Sequence, residues 1–183
     1  AYRFLSDYMR AKNEGGRVYV IHRLDRDTSG IVMFAKSDEL RKAYQDNWDR
    51  LVKKRRYAAV CEGVPSPAED TITSYLRESS SHMVYTAEKS RFSKEAVTHY
   101  KTVKAGKRFS LLDIEIMTGR KNQIRVQLAE RGNPIAGDKK YGAATNPIHR
   151  LALHASELEI MSPSGKHFRF RAPIPASFAK VVK

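Results

Sequence analysis

Apolar positions recur at helical spacing in a few stretches of this chain and alternate with polar ones in most of the others. Tyr2 to Lys12 sets Phe4, Leu5, Tyr8 and Met9 on one side of a short amphipathic helix, which Gly15 and Gly16 end. Arg17 to His22 and Ile31 to Ala35 read as strands, rich in apolar residues and flanking a polar loop. Ser37 is a good N-cap, and Asp38 and Glu39 fit the positive end of a helix. That helix is expected to reach about Leu51, burying Leu40, Ala43, Tyr44 and Trp48. Lys53, Lys54, Arg55 and Arg56 form a basic turn into a strand from Tyr57 to Glu62. There Tyr57, Ala59 and Cys61 face one way and Ala58 and Val60 the other.

Gly63 to Ala68, with Pro65 and Pro67, reads as a loop, and Thr71 to Leu76 as a strand. Arg77 to Glu95 is polar and serine-rich, a mobile excursion with a short strand at Met83 to Thr86. Ala96 to Lys104 and Phe109 to Met117 have hairpin spacing, joined at Ala105 to Lys107. Thr118 to Arg120 turn into a helix from Gln123 to Arg131, whose Ile124 and Leu128 face inward, and Gly132, Asn133 and Pro134 end it. Gly137 to Gly142 form a loop. Arg150 to His154 and Leu158 to Ile160 are strand segments, Ser162 to Lys166 a turn into His167 to Ala172, and the tail from Pro173 ends in a helical turn. Many short strands with few helices, no repeat and no linker predict a single α+β domain over residues 1–183, with a mixed, largely antiparallel central sheet.

Charge changes the picture more than composition does. The 183 residues carry a formal net charge of +14, which points to a polyanion, above all nucleic acid. A general solubility bias or a ribosome-associated surface gives the same balance. The lone cysteine, Cys61, rules out an intrachain disulfide and fits a reducing, cytoplasmic setting. The longest apolar runs are about five residues against roughly 20 for a membrane span, so no membrane association is expected. No signal peptide is visible. The first residue is Ala1, and a piece of a longer protein is the expectation.

Candidate chemistry gathers in three places. The loop His22 to Gly30, HRLDRDTSG, sets Asp25 and Asp27 among Arg23 and Arg26 between two apolar strands. Neighbouring cations hold a carboxylate ionised, so Asp25 is expected in that form. It can then serve as nucleophile, base or stabiliser of an oxocarbenium-like centre. A lone loop aspartate more often caps a turn or joins a surface ion pair. Asp27 beside it makes a poor metal site, and the six histidines show no zinc spacing, so no metal is expected. Tyr57, after four basic residues, either stacks on an unstacked base or packs in the core. In Gly119 to Val126, GRKNQIRV, cations cluster at a helix start. Arg125 lies there between Ile124 and Val126; a buried arginine needs a carboxylate, and Asp25 is available.

These segments together resemble the RluA-type pseudouridine synthases, which isomerise uridine in ribosomal and transfer RNA. HRLDRDTSG looks like the family's catalytic motif, and KRRYAAVCEGVP from Lys54 to Pro65 is similar to its tyrosine segment. TGRKNQIRVQLAERGNPIAGDKKYG from Thr118 to Gly142 looks like a third signature, and RLALHA from Arg150 to Ala155 like a fourth. The likeness runs from about Arg17 to Pro175. It implies Asp25 as the catalytic residue, Tyr57 stacked on the target base, and Arg125 ion-paired with Asp25. It also implies a sheet flanked by helices and loops, with the cleft across one face, and no metal or organic cofactor. Two departures stand out. Asn122 and Gln127 replace histidines of the family pattern, a change read as altering RNA contacts. The leading KPxG segment has no counterpart, so an N-terminally truncated domain is expected.

With that chemistry, Arg23, Lys53, Lys54, Arg55, Arg56, Arg120, Lys121 and Asn122 are the expected RNA contacts, and a monomer the expected state. Two rivals remain: a catalytically silent RNA-binding protein of the same fold, and a hydrolase of nucleosides or glycosides using Asp25 and Asp27. The basic surface does not suit the neutral sugar substrate of the second.

Overall fold

The alternating stretches pair into one large sheet, and the helical ones pack on it. The computed structural model describes residues 2–12 and 17–183. The strands in chain order are β1 (Tyr19–Val20), β2 (Ser29–Gly30), β3 (Phe34–Ala35), β4 (Val52–Glu62), β5 (Glu69–Glu78), β6 (Val84–Ala87), β7 (Lys94–Ala105), β8 (Phe109–Ile116), β9 (Leu153–Met161) and β10 (His167–Arg171). The helices are α1 (Tyr2–Ala11), α2 (Asp38–Asp46), α3 (Trp48–Leu51), α4 (Gln123–Glu130) and α5 (Ala176–Val181). Seven strands run in the order β10-β9-β4-β8-β7-β5-β6, each antiparallel to its neighbours, and β2 joins β9 as a parallel pair to make the sheet eight-stranded. β1 and β3 form a separate antiparallel pair. The mixed, largely antiparallel α+β architecture is the one expected.

Three apolar clusters sit on this sheet, the third joining Leu76, Val84 and Ala96 to Val126 of α4. The first joins Leu112, Ile114 and Ile116 of β8 to Ile124 and Leu128 of α4. The second joins Leu158 and Ile160 of β9 to Ile21, Tyr44 and Leu51. On the other face, α5 covers one end, where Phe178 meets the ring of His154 edge-on at 6.4 Å. Residues 58–61 of β4 are buried on both faces for that reason.

The rest of that face alternates in charge from strand to strand. Lys101 of β7 lies between Glu69 of β5, at 2.9 Å, and Asp113 of β8. Arg56 and Lys54 of β4 pair with Asp113 and Glu115, the second at 3.3 Å. They stand opposite Glu157 and Glu159 of β9, which pair in turn with Arg171 and Arg169 of β10. These cross-strand pairs carry β4 back to Val52, so Lys53 to Arg56 lie in a strand and not in a turn.

Other expectations shift locally. The helix from Ser37 breaks at Asn47, whose side chain donates to the Ala43 carbonyl at 3.0 Å, and Leu40 stays exposed. Ser37 does cap it, accepting from the Leu40 N–H at 3.2 Å. In α1, Met9 is buried, whereas Phe4 and Tyr8 are exposed. The expected stop at Gly15 and Gly16 lies outside the described residues. The stretch after Leu76 is no loose excursion, because β5 continues to Glu78 and pairs with β6. Arg150 to Ala152 is not strand. β9 is continuous from Leu153, absorbing a register shift opposite Arg56 and Tyr57.

Candidate active site

The loop carrying Asp25 is clamped at both ends. At its start, the His22 imidazole Nε2 accepts the Met33 N–H at 3.0 Å. At its end, Ser29 and Gly30 pair with His154 and Ala155 of β9, and Ser29 Oγ lies 2.8 Å from His154 Nδ1. The approach is so close that a Cβ on Gly30, whose φ is +110°, would sit 2.1 Å from the Ala155 carbonyl oxygen. Between the clamps, the Thr28 N–H donates to the Asp25 carbonyl at 3.0 Å and closes a turn.

Asp25 projects from that turn toward the start of α4. Its carboxylate Oδ2 is 4.0 Å from Arg125 Nη1, and its side chain is 20% exposed. Arg125 has a closer partner. Its Nε and Nη2 donate to Asp138 Oδ2 and Oδ1 at 2.6 and 2.7 Å, a bidentate pair, and Nη1 donates to Asn122 Oδ1 at 3.0 Å. The expected ion pair is thus a triad. Asp138 fixes the guanidinium, and the guanidinium presents one edge to Asp25. Asn122 adopts φ +54°, and its backbone N–H favours the ionised form of the Asp25 carboxyl. The expectation that Arg23 and Arg26 hold Asp25 ionised needs correcting. Burial pushes its carboxyl above the ordinary aspartate value, and Arg125, the Asn122 N–H and Arg23 only partly offset it.

Asp25 opens into a cleft of about 620 Å³ where residues of the first two apolar clusters meet. Tyr57 lines it, as do Arg23, Arg55 and Arg120. Burial raises the Tyr57 phenol, which keeps its proton and offers a ring face, not a base. Arg55 lies over Trp48, 5.6 Å from the ring centroid, and donates to the Met117 carbonyl at 2.9 Å. Gly119 leaves room for it, since a Cβ there would sit 2.7 Å from Arg55 Nη1. The turn into α4 is held by Gln123, whose Oε1 accepts from Thr118 Oγ1 at 2.8 Å and from the Arg120 N–H at 3.0 Å.

His22 packs against Trp48 with ring centroids 5.5 Å apart, and burial with the Arg55 charge lowers its pKa to about 4. The neutral ring is therefore the folded form. Its stabilisation is full above the unfolded value of 6.5 and is lost as pH falls through about 4. We expect the protein to lose about 3 kcal/mol over that interval through this group. His22→Gln, which keeps an acceptor for Met33, should flatten the slope. Urea unfolding at about pH 7.5 and about pH 4.5 checks it, and an equal slope in both proteins would rule out His22 as the source.

Not all expected RNA contacts reach the cleft. Arg23, Arg55 and Arg120 do. Lys54 and Arg56 lie on the opposite face, engaged with Glu115 and Asp113, and Lys53, exposed on β4, does not line the cleft. Lys121 lines a neighbouring cavity and pairs with Glu78. Asn122 is buried, donating to the Tyr141 hydroxyl at 2.9 Å, so its work is internal. Gln127 is buried as well, with its Nε2 donating to the Ala96 carbonyl at 3.0 Å, and has no surface on which to alter RNA contacts. Asp27 is exposed and outside the cleft lining. The sequence assigns no site role to Asp138, His22 or Trp48. The Asp138 segment, GDKKYG, is a predicted loop that closes the third signature.

Five segments distant in the chain thus supply one cleft: Ile21 to Asp25 with Thr28, Gln45 to Asp49, Arg55 with Tyr57, Ile116 to Ile124, and Leu153. A family model described as RNA pseudouridylate synthase matches residues 1–130. The chain belongs to the RNA pseudouridylate synthase family. It is 34% identical over 179 residues to the uncharacterized RNA pseudouridine synthase YhcT of Bacillus subtilis, covering 96% of this chain and 59% of that protein. It is 31% identical over 174 residues to a ribosomal large subunit pseudouridine synthase D of Zymomonas mobilis, covering 90% of this chain and 55% of that one. The chain therefore spans somewhat over half the length of these two synthases. Its fold is that of human RNA pseudouridylate synthase domain containing 4, with a TM-score of 0.77 and 21% identity over 97% of this chain and 79% of that one. Human RNA pseudouridylate synthase domain containing 1 gives 0.78 and 24%, over 93% and 74%.

Proposed function

We propose that the protein isomerises uridine in ribosomal or transfer RNA to pseudouridine, with Asp25 as the reacting carboxylate. The observation that carries this reading is a largely buried Asp25, set against Arg125 at the end of a cleft lined by Tyr57 and three arginines. A uracil within a stacked helix is out of reach, so the nucleotide enters flipped. Tyr57 gives its base a face, and Arg23, Arg55 and Arg120 meet the flanking phosphates. The C1′–N1 bond breaks, the uracil turns, and C1′ rejoins at C5, whose hydrogen leaves as a proton while the freed N1 takes one up. Substrate and product are isomers, so no oxidant or reductant enters. Asp25 serves at C1′, C6 or the C2′ proton, three routes that share one need for its carboxylate.

RNA carrying tritium at uridine C5 tests the reading. Turnover releases the label to water, whereas binding alone releases none. Release by the wild-type protein is the expected result. Tight binding without release would instead support a silent RNA-binding protein.

A further inference from the structure

Beside the cleft lies a second cavity of about 350 Å³, which shares Gly119 and Arg120 with the first. Its walls include Arg77, Lys94, Arg120 and Lys121, against one carboxylate, Glu78. Phe92 also lines it, 59% exposed. Two guanidinium groups approach that ring, Arg77 at 5.3 Å and Arg91 at 4.5 Å from the centroid. A phenylalanine this open has no role in the core, and cations beside an exposed ring form a surface that takes a base and its phosphate together.

The ring is also held in place. Ser93 Oγ donates to the Glu88 carbonyl and accepts the Ser90 N–H, both at 2.9 Å, and the Phe92 N–H donates to Ser90 Oγ at 3.3 Å. This serine-locked turn links β6 to β7 and presents Phe92 beside the cleft without further ordering. A preset ring loses less freedom on binding than one on a loose loop.

We propose that the second cavity holds the RNA nucleotide next to the target uridine, with its base stacked on Phe92 and its phosphate met by Arg77 and Lys94. This rests on the reading of the cleft as a uridine site, because continuity through Gly119 and Arg120 is what makes the two occupants neighbours on one strand. The hairpin β5–β6 with its following turn then reads the single-stranded surroundings of the target. Stacking tolerates any base, so the selection is for an unpaired neighbour more than for its identity.

The test is a binding cycle with short single-stranded RNAs holding a central uridine, intact or with an abasic residue on one side or the other. Wild type should bind one of the abasic RNAs about tenfold or more weakly. Phe92→Ala should bind intact RNA about as weakly as that, and the abasic RNA no more weakly still. Phe92→Trp should restore discrimination, and an unchanged melting temperature will separate lost stacking from lost folding. Equal binding of intact RNA by Phe92→Ala and wild type, or an abasic penalty undiminished in Phe92→Ala, overturns the proposal. Tritium release measured in parallel separates the two readings. A coupled cycle without release keeps the cavity and removes the synthase assignment, while release with an uncoupled cycle does the reverse.

Discussion

Asp25→Asn abolishes tritium release and leaves a protein that melts, at neutral pH, no lower than wild type. The loss should be at least about 1,000-fold, the scale of removing a group that reacts and not one that merely positions. The amide retains the shape and an oxygen for the Asn122 N–H but has no carboxylate to offer. The stability half follows from the pKa direction. Burial raises the folded-state pKa of Asp25 above its ordinary 3.8, so the folded protein prefers the neutral group. Its favourable contribution is present below the unfolded value and is lost as pH rises through the folded one. At neutral pH a neutral isostere relieves that cost. For the same reason the acid limb of the wild-type rate should lie above pH 3.8. Thermal melts beside the release assay decide the matter: a variant that is inactive because it is unfolded would leave the role of Asp25 without support.

Asp138→Ala should have the largest effect on stability, about 3–5 kcal/mol. The Asp138 side chain is 1% exposed and that of Arg125 10%, with their closest atoms 2.6 Å apart. Taking away the carboxylate leaves a buried guanidinium with Asn122, the Tyr141 ring face and the more distant Asp25. At roughly 2–4 °C per kcal/mol for a domain of this size, the midpoint falls by about 6–20 °C. Arg125→Met combined with Asp138→Ala should cost less than Asp138→Ala alone, because no orphan charge remains. A double variant as unstable as the sum of the singles would show that the pair is not the unit we take it for. Release should fall in both, since either change removes the fixed cation beside Asp25.

How much of this could be read beforehand depended on whether a residue's partner was near in sequence. Alternation alone outlined β7 and β8, because each residue's face follows from its neighbours. Ser37 was recognisable as a cap because its acceptor role is met three residues on. Asp25, Tyr57 and Arg125 stand out as candidates by their charged or aromatic setting, the family resemblance gives them roles, and they do line or adjoin one cleft. Asp138 gave no signal of its own, since its partner is 13 residues back and is fixed only by how the loop after α4 folds. The run Lys53 to Arg56 misled for the converse reason. Four cations in a row look like an exposed turn until neighbouring strands bring carboxylates to two of them. Asn122 misled because a left-handed backbone turns its side chain inward.

The alternating face of the sheet has one more consequence. Its strand-to-strand pairs set five acids, Glu69, Asp113, Glu115, Glu157 and Glu159, against five bases, Lys54, Arg56, Lys101, Arg169 and Arg171. Those ten charges cancel, and the excess of +14 is carried by other residues. On the proposed function, an RNA that arrives at the wrong side should find each cation of these pairs already answered, whereas one that arrives at the cleft meets Arg23, Arg55 and Arg120. Wrong-way-round encounters should then be brief, with the protein oriented before any base leaves its stack.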